Sequence, residues 1–171
     1  KVDYSRYIYF YMTYLIKENQ INEAKELSNE INTLNNSLLV SQAKEWIDKK
    51  KFKKFSQVFS CTSETDVLSE FFFLIANLYS SNNFLEKSNF FLNMSYYLNP
   101  KFNFNLSLLL ENNKDSSDVS KKILKNFNNK DNNVYYWYKI KKESKIILEE
   151  QGQQKSFKFI NSKFEKIKNP P

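Results

Sequence analysis

The residue types that most often carry chemistry are scarce in this sequence. The chain of 171 residues contains no His and a single Cys. Without His, imidazole acid–base catalysis, Ser–His and Cys–His nucleophile pairs and most zinc or haem sites are excluded. Cys61 has no activating neighbour in the sequence and no second Cys with which to form an internal disulfide. We therefore expect no catalytic, cofactor-binding or metal-binding residues, and a protein that is not an enzyme.

Two further patterns could serve chemistry, and both are excluded on geometric grounds. Glu149 and Glu150 are adjacent, and successive residues of a helix point about 100° apart, so their carboxylates do not converge on one substrate. A phosphate-binding loop needs several glycines, and Gly152 is the only glycine of the chain. We expect these carboxylates to lie on a solvated surface.

The charge of the chain comes almost entirely from Lys. The formal net charge is +7, and Arg6 is the one Arg among 26 basic residues. Arg is the side chain that reads phosphate and guanine through paired hydrogen bonds, so its scarcity argues against nucleic acid as the partner. High Lys and Asn with little Gly, Ala and Pro is typical of an AT-rich genome, and we infer a bacterial source. The charge favours solubility and suits an acidic partner.

Two segments could nevertheless mark a binding surface. The run DKKKFKKF at residues 48–55 is the densest basic stretch. We interpret it as a solvated turn, with contact to an acidic partner, a nucleic acid or an anionic membrane surface as the alternative. Aromatic residues such as Phe71, Phe90 and Tyr97 could stack on bases, but most aromatics occupy positions that predict a helical core.

The longest apolar runs are too short to cross a membrane. They are YIYFYMTYLI at residues 7–16 and FFFLIANLY at residues 71–79, whereas a spanning helix needs about 20 apolar residues. We expect no transmembrane segment in this chain and a location in the bacterial cytoplasm or periplasm, between which the sequence does not decide.

Asn takes the place of Gly and Pro as the residue that separates elements. With one Gly and three Pro in the whole chain, a strand-rich fold would lack the residues that its sharp turns require. Asn tolerates left-handed backbone conformations and can end a helix. The sequence predicts helices and no sheet, with turns near Asn19-Gln20, Lys50-Lys51, Asn82-Asn83, residues 112–117 and Gly152.

One phrase of apolar and small residues recurs along the chain. Its fullest copy is Phe72-x2-Ile75-Ala76-x2-Tyr79, then Ser88-x3-Leu92, then Pro100. The spacing i, i+3, i+4, i+7 makes one stripe on a first helix, and a small residue at position 88 lets a second helix approach closely. The equivalent positions in five copies are 31, 33, 32 and 36 residues apart: Ala24, Phe55, Ser88, Ser120 and Ser156. Phe55 is large, and we expect it to push the second helix pair apart.

This phrase resembles the tetratricopeptide repeat, whose period is 34 residues. The resemblance implies an all-α fold, a right-handed α-solenoid of about five helical hairpins. It covers residues 1–171 as a single array, and we expect the chain to be a fragment of a longer protein. In tetratricopeptide arrays the first helices of the repeats line a concave groove. Carried over by register, the resemblance implies these residues as the candidate partner site: Tyr9, Thr13, Lys17, Lys44, Asp48, Phe73, Asn77 and Ser81.

The function implied by this resemblance is binding of a polypeptide partner in the groove by a non-enzymatic scaffold. Phe73 is the expected aromatic anchor, because Phe72 and Ile75 already account for the core stripe. One alternative is RNA binding by a pentatricopeptide-like array, whose repeats are steadier at about 35 residues. A second alternative is the regulatory or scaffold part of a larger enzyme. No cofactor is expected under any of these interpretations.

Overall fold

The computed structural model describes residues 5–30, 37–127 and 133–166, and these residues form α-helices without any strand. The predicted all-α fold class is confirmed. In chain order the helices are α1 (Ser5–Lys17), α2 (Ile21–Glu30), α3 (Leu38–Asp48), α4 (Lys53–Val58), α5 (Glu64–Ser81), α6 (Leu85–Leu98), α7 (Phe104–Asn112), α8 (Ser117–Asn126), α9 (Asn133–Gln151) and α10 (Gln153–Phe164).

Residues with left-handed backbone conformations end four of these helices. Asn19, Lys50 and Asn83 have φ angles of 65°, 53° and 60°, and Gly152 has φ 85°. Each follows α1, α3, α5 or α9 within two residues. A left-handed residue reverses the chain direction after a helix, and Asn adopts it at small cost. All five predicted turns therefore lie between consecutive helices, including the one at residues 112–117.

The start of α5, the longest helix of the first part of the chain, is capped by side chains. The Ser63 hydroxyl accepts a hydrogen bond from the Asp66 backbone N–H at 3.3 Å. Glu64 and Asp66 lie in the first turn, where the helix dipole favours negative charge. The Asp66 carboxylate also accepts from the Ser60 backbone N–H at 2.8 Å, which fixes the chain as it enters the helix.

The chain divides into two compact units, residues 1–112 and 113–171. In the first unit, α1, α2 and α3 pack on one another, and so do α5, α6 and α7. The core around α1, α3 and α4 is built from aromatic and aliphatic residues that include Tyr9, Met12, Leu39, Trp46, Phe55 and Phe102. Phe55 lies on α4, a helix of six residues, and fills this core, stacked on Tyr9 with ring centroids 5.9 Å apart. The expectation that this large residue pushes α3 and α4 apart stays a prediction.

Small polar residues join α5, α6 and α7. Ser69 on α5 and Ser95 on α6 each donate to the other's backbone carbonyl at 2.8 Å. Asn105 on α7 donates to the Ser95 hydroxyl at 2.6 Å. Asn112 donates to Ser88 at 2.8 Å at the far end of the same interface. These small side chains let the helices approach closely, and the hydroxyl groups of Ser69, Ser88 and Ser95 are hydrogen-bonded in the interface.

The second unit contains α8, α9 and α10. The Ser156 hydroxyl on α10 donates to the Ser144 carbonyl on α9 at 2.9 Å, so a small residue again lies where two helices meet. Lys121 on α8 contacts the Glu150 carboxylate on α9 at 2.6 Å. Hydrogen bonds from Lys121 and Ser117 hold the pKa of Glu150 below its usual value. Ala24, Ser88, Ser120 and Ser156, the predicted small positions, are all buried.

Candidate interaction surface

The structure buries two of the eight residues predicted to line the groove. Tyr9 is fully enclosed in the core of the first unit, between Phe55 and Phe102. Burial raises the pKa of its phenol, which stays neutral. Phe73 is 4% exposed. Neither side chain offers surface to a partner in this structure. The expectation that Phe73 is an aromatic anchor for a partner is wrong in this structure, because its ring is buried.

Arg6 of α1 is the reason why Phe73 is covered. The guanidinium carbon of Arg6 lies 3.6 Å from the centroid of the Phe73 ring, with Phe104 at 4.9 Å and Phe102 at 5.1 Å. The same guanidinium forms a two-point ion pair with Glu70, one turn earlier on α5, with Arg6 Nε 2.9 Å from Glu70 Oε1. The two side chains are 10% and 15% exposed.

This contact joins helices that the repeat pattern separates. Arg6 and Glu70 are 64 residues apart, which is about two repeat periods. In a strictly stacked solenoid each repeat contacts its neighbours alone, so the contact of the Arg6 side chain with Glu70 and Phe73 of α5 departs from that arrangement. The helix α4, which lies between α1 and α5 in the sequence, is also shorter than a repeat helix would be, with six residues. The site around Arg6 is thus an interior clamp within the first unit.

The other predicted groove residues lie nearer the surface. Lys17, Asp48, Asn77 and Ser81 are exposed, and Thr13 and Lys44 are half-buried. The Thr13 hydroxyl donates to the Tyr9 carbonyl at 2.9 Å, and Ser81 donates to the Leu78 carbonyl at 2.9 Å. Asn77 and Ser81 are four residues apart on α5 and therefore share one side of that helix. Whether these residues hold a partner stays a prediction.

The largest feature that the sequence analysis missed is an apolar face on α5. Val67, Phe71, Leu74 and Leu78, here called the α5 seam, are 48%, 55%, 48% and 64% exposed. Ser69, Phe73 and Ala76, on the opposite side of the helix, are buried. The spacing of the seam residues, at intervals of four, three and four, can be read from the sequence. It does not single out the seam, because the neighbouring stripe, Phe72, Ile75 and Tyr79, has the same helical period.

Asn77 and Ser81 lie at the border of this face. Leu74, Asn77, Leu78 and Ser81 have the spacing i, i+3, i+4, i+7, which places them along one side of α5. The surface therefore combines an apolar strip with an amide and a hydroxyl at its C-terminal end. A surface of this kind suits a polypeptide that buries apolar side chains and keeps polar groups at the rim.

Two other surfaces stand out less. Tyr7, Tyr11 and Tyr14 are exposed on α1, with the rings of Tyr11 and Tyr14 stacked 6.3 Å apart. In the Lys-rich turn before α4, Lys49 is paired with Glu45 at 2.6 Å. This pair joins the first residue after α3 to the last turn of that helix, and Lys49 remains 45% exposed, which supports the interpretation of the turn as solvated surface. Phe90 and Tyr97 on α6 are also exposed, two turns apart on one side of the helix, and the exposed polar Asn93 lies between them.

The described residues contain no group of three or more His, Cys, Asp or Glu placed to hold a metal ion. Within the same residues, no helix is both long and apolar enough to cross a membrane. Cys61 is exposed in the segment before α5. Comparison of the chain with models of protein families, with curated proteins and with solved structures finds no match.

Proposed function

We propose that this protein is a non-enzymatic interaction scaffold, a tetratricopeptide-like array of helical hairpins that binds a polypeptide partner. The observation that carries the proposal is the α5 seam. The seam exposes four large apolar side chains to water along one helix, which costs free energy. Contiguous apolar patches of this kind mark interaction sites. The seam continues into Asn77 and Ser81, two of the predicted groove residues.

The helix order supports the repeat part of this proposal. In a tetratricopeptide array the second helix of each pair packs between its own first helix and that of the next pair. Within each of two sets, α1 to α3 and α5 to α7, the mutual packing of the helices is compatible with that order. Small buried residues at Ala24 and Ser88 lie where paired helices must approach closely. The right-handed solenoid across residues 1–171 is part of the same proposal.

Binding of RNA is the second candidate, carried by the Lys excess of the chain. It predicts a different response to salt. A protein that neutralises several phosphates loses affinity steeply as salt rises, whereas burial of an apolar seam depends little on salt. Fluorescence anisotropy with a labelled single-stranded RNA at low and physiological salt separates the two. We expect no salt-dependent binding with a dissociation constant below about 10⁻⁶ M, which is the tight end of the range for non-specific association.

The test of polypeptide binding uses paired variants of the full chain. Immobilised protein is exposed to bacterial lysate, and bound proteins are quantified for the native chain and for the double variant Leu74→Gln, Leu78→Gln. The change keeps charge constant and replaces exposed side chains, so the helical spectrum should be retained. The matched control is Lys50→Gln, Lys53→Gln in the basic turn. We expect binding to be lost in the seam variant alone; loss in the turn variant alone would contradict the proposal.

A further inference from the structure

The seam has the spacing of a coiled-coil contact. Its residues follow one another at intervals of four, three and four, from Val67 through Phe71 and Leu74 to Leu78. A continued alternation of four and three averages 3.5 residues, the repeat at which two helices keep their apolar residues in contact along their length. An extended peptide would not match such a strip, because its side chains alternate with a period of two. The occupant that fits is therefore a second helix.

The seam is also symmetric about the middle of its own helix. α5 runs from Glu64 to Ser81, so its midpoint falls between Phe72 and Phe73. Val67 and Leu78 are equidistant from that midpoint, and so are Phe71 and Leu74. When two copies of such a helix pack antiparallel about a two-fold axis through this midpoint, Val67 of one copy faces Leu78 of the other. In the same way Phe71 of one copy faces Leu74 of the other. A contact of this kind is self-complementary, as the interface of a two-fold dimer must be.

The charges of α5 favour the antiparallel orientation. The helix carries Glu64 and Asp66 in its first turn and no Lys or Arg, while its third acidic residue, Glu70, is paired with Arg6. Parallel packing of two copies would bring these acidic ends together. Antiparallel packing places the acidic end of each copy beside the uncharged end of the other, where Asn77 and Ser81 are exposed. Repulsion between like charges therefore disfavours the parallel orientation and leaves the antiparallel orientation as the preferred one.

We propose that the α5 seam is the contact of a homodimer, packed antiparallel against the α5 seam of a second copy of this chain. The inference rests on the proposed function, since it names the polypeptide that this surface binds. In the dimer Val67 of one copy lies opposite Leu78 of the other, and Phe71 lies opposite Leu74. The two seams thereby cover each other and remove four large apolar side chains per copy from water.

The contact is formed by one helix from each copy, and small interfaces belong to the weak and transient class. A standard stable interface buries about 1,600 Å², and one pair of 18-residue helices provides less than that. We therefore expect a dimer that dissociates at about micromolar concentration. Sedimentation velocity of the full chain over a concentration series from about 0.1 to 200 μM, which brackets that range, should show a reversible monomer–dimer transition.

A pair of variants tests both the contact and its register. Leu74→Glu and Phe71→Lys each place a charge in the seam, and each variant alone should raise the dimer dissociation constant at least about tenfold. Because Leu74 of one copy faces Phe71 of the other, a mixture of the two variants brings Glu against Lys and should recover association. Phe90→Glu, the same kind of change at an exposed Phe of α6, should leave the dimer intact.

The outcomes separate this inference from the proposed function. If Leu74→Glu loses its helical spectrum, Leu78→Glu takes its place, since Leu78 is the most exposed residue of the seam, and it is mixed with Val67→Lys. A native chain that stays monomeric at the highest concentration overturns the dimer, as does a Leu74→Glu or Leu78→Glu variant that still dimerises. If the native chain is monomeric and the seam variant nevertheless loses captured proteins, the proposed function stands with a helix of another protein as partner.

Discussion

At the scale of single residues, Arg6 places a nearly buried positive charge in the first unit. Its guanidinium is paired with Glu70 and lies over the Phe73 ring at 3.6 Å. A buried charge of this kind is held by its partner and by the electron-rich face of the ring. It therefore contributes little net stability as an intact pair, whereas removal of one partner leaves the other as an uncompensated charge in a low-dielectric interior.

We predict that Arg6→Met destabilises the protein by about 3–5 kcal/mol in a urea titration, because Glu70 is left buried without its counter-charge. The double variant Arg6→Met, Glu70→Leu should recover most of that loss. The matched control is Lys145→Met, whose exposed partner Glu149 lies 3.7 Å away, and it should change the free energy of unfolding by about 0.5 kcal/mol or less. Equal costs for Arg6→Met and the double variant would contradict the clamp.

A second residue-scale prediction concerns the close approach of α6 to its neighbours. Ser88 is fully buried, and its hydroxyl accepts from the Asn112 amide at 2.8 Å. Ser88→Leu should cost about 1–3 kcal/mol, because the added volume must displace helices that are already in contact. Ser95→Leu should behave similarly. Lys87→Leu, at the adjacent exposed position, should be tolerated, and a comparable loss there would mean that α6 is rotated.

At the scale of elements, the rotation of α5 about its own axis decides which of its aromatic side chains are buried and which are exposed to a partner. The helix is apolar nearly all round, so periodicity alone admits either Phe72 or Phe73 as the core residue. The structure turns Phe73 inward, with its ring 5.7 Å from that of Phe104 on α7. Phe71 and Leu74 on either side of it are turned outward.

This rotation gives a prediction for neighbouring positions of identical type. Phe73→Ala should cost about 3–5 kcal/mol, since it removes a buried ring from beneath Arg6. Phe71→Ala should cost less than about 1 kcal/mol, because that side chain is mostly in water. Both are measured by chemical denaturation at a protein concentration below the range of dimer formation. A large loss for Phe71→Ala and a small one for Phe73→Ala would invert the assignment of the two faces.

At the scale of the whole molecule, the described residues of each unit are mostly helical. The described residues outside the helices are chiefly the turns between helices and the connections around Cys61 and Pro100. We predict a far-ultraviolet circular dichroism spectrum of the full chain that is dominated by helix. A spectrum dominated by strand would contradict the fold and with it the repeat interpretation.

The sequence by itself determined the fold class, the positions of the turns and the scarcity of catalytic groups. These follow from local causes: few Gly and Pro, Asn at helix ends, and the absence of His. It also identified the small buried positions, because close helix packing restricts the residue type at a fixed spacing. It did not determine which apolar face of α5 is buried, since both faces have helical spacing. That choice depends on Arg6, 64 residues away, and on α7, whose Phe104 closes over Phe73. A contact between residues so distant in sequence leaves no local signature, and tertiary packing alone left the α5 seam exposed.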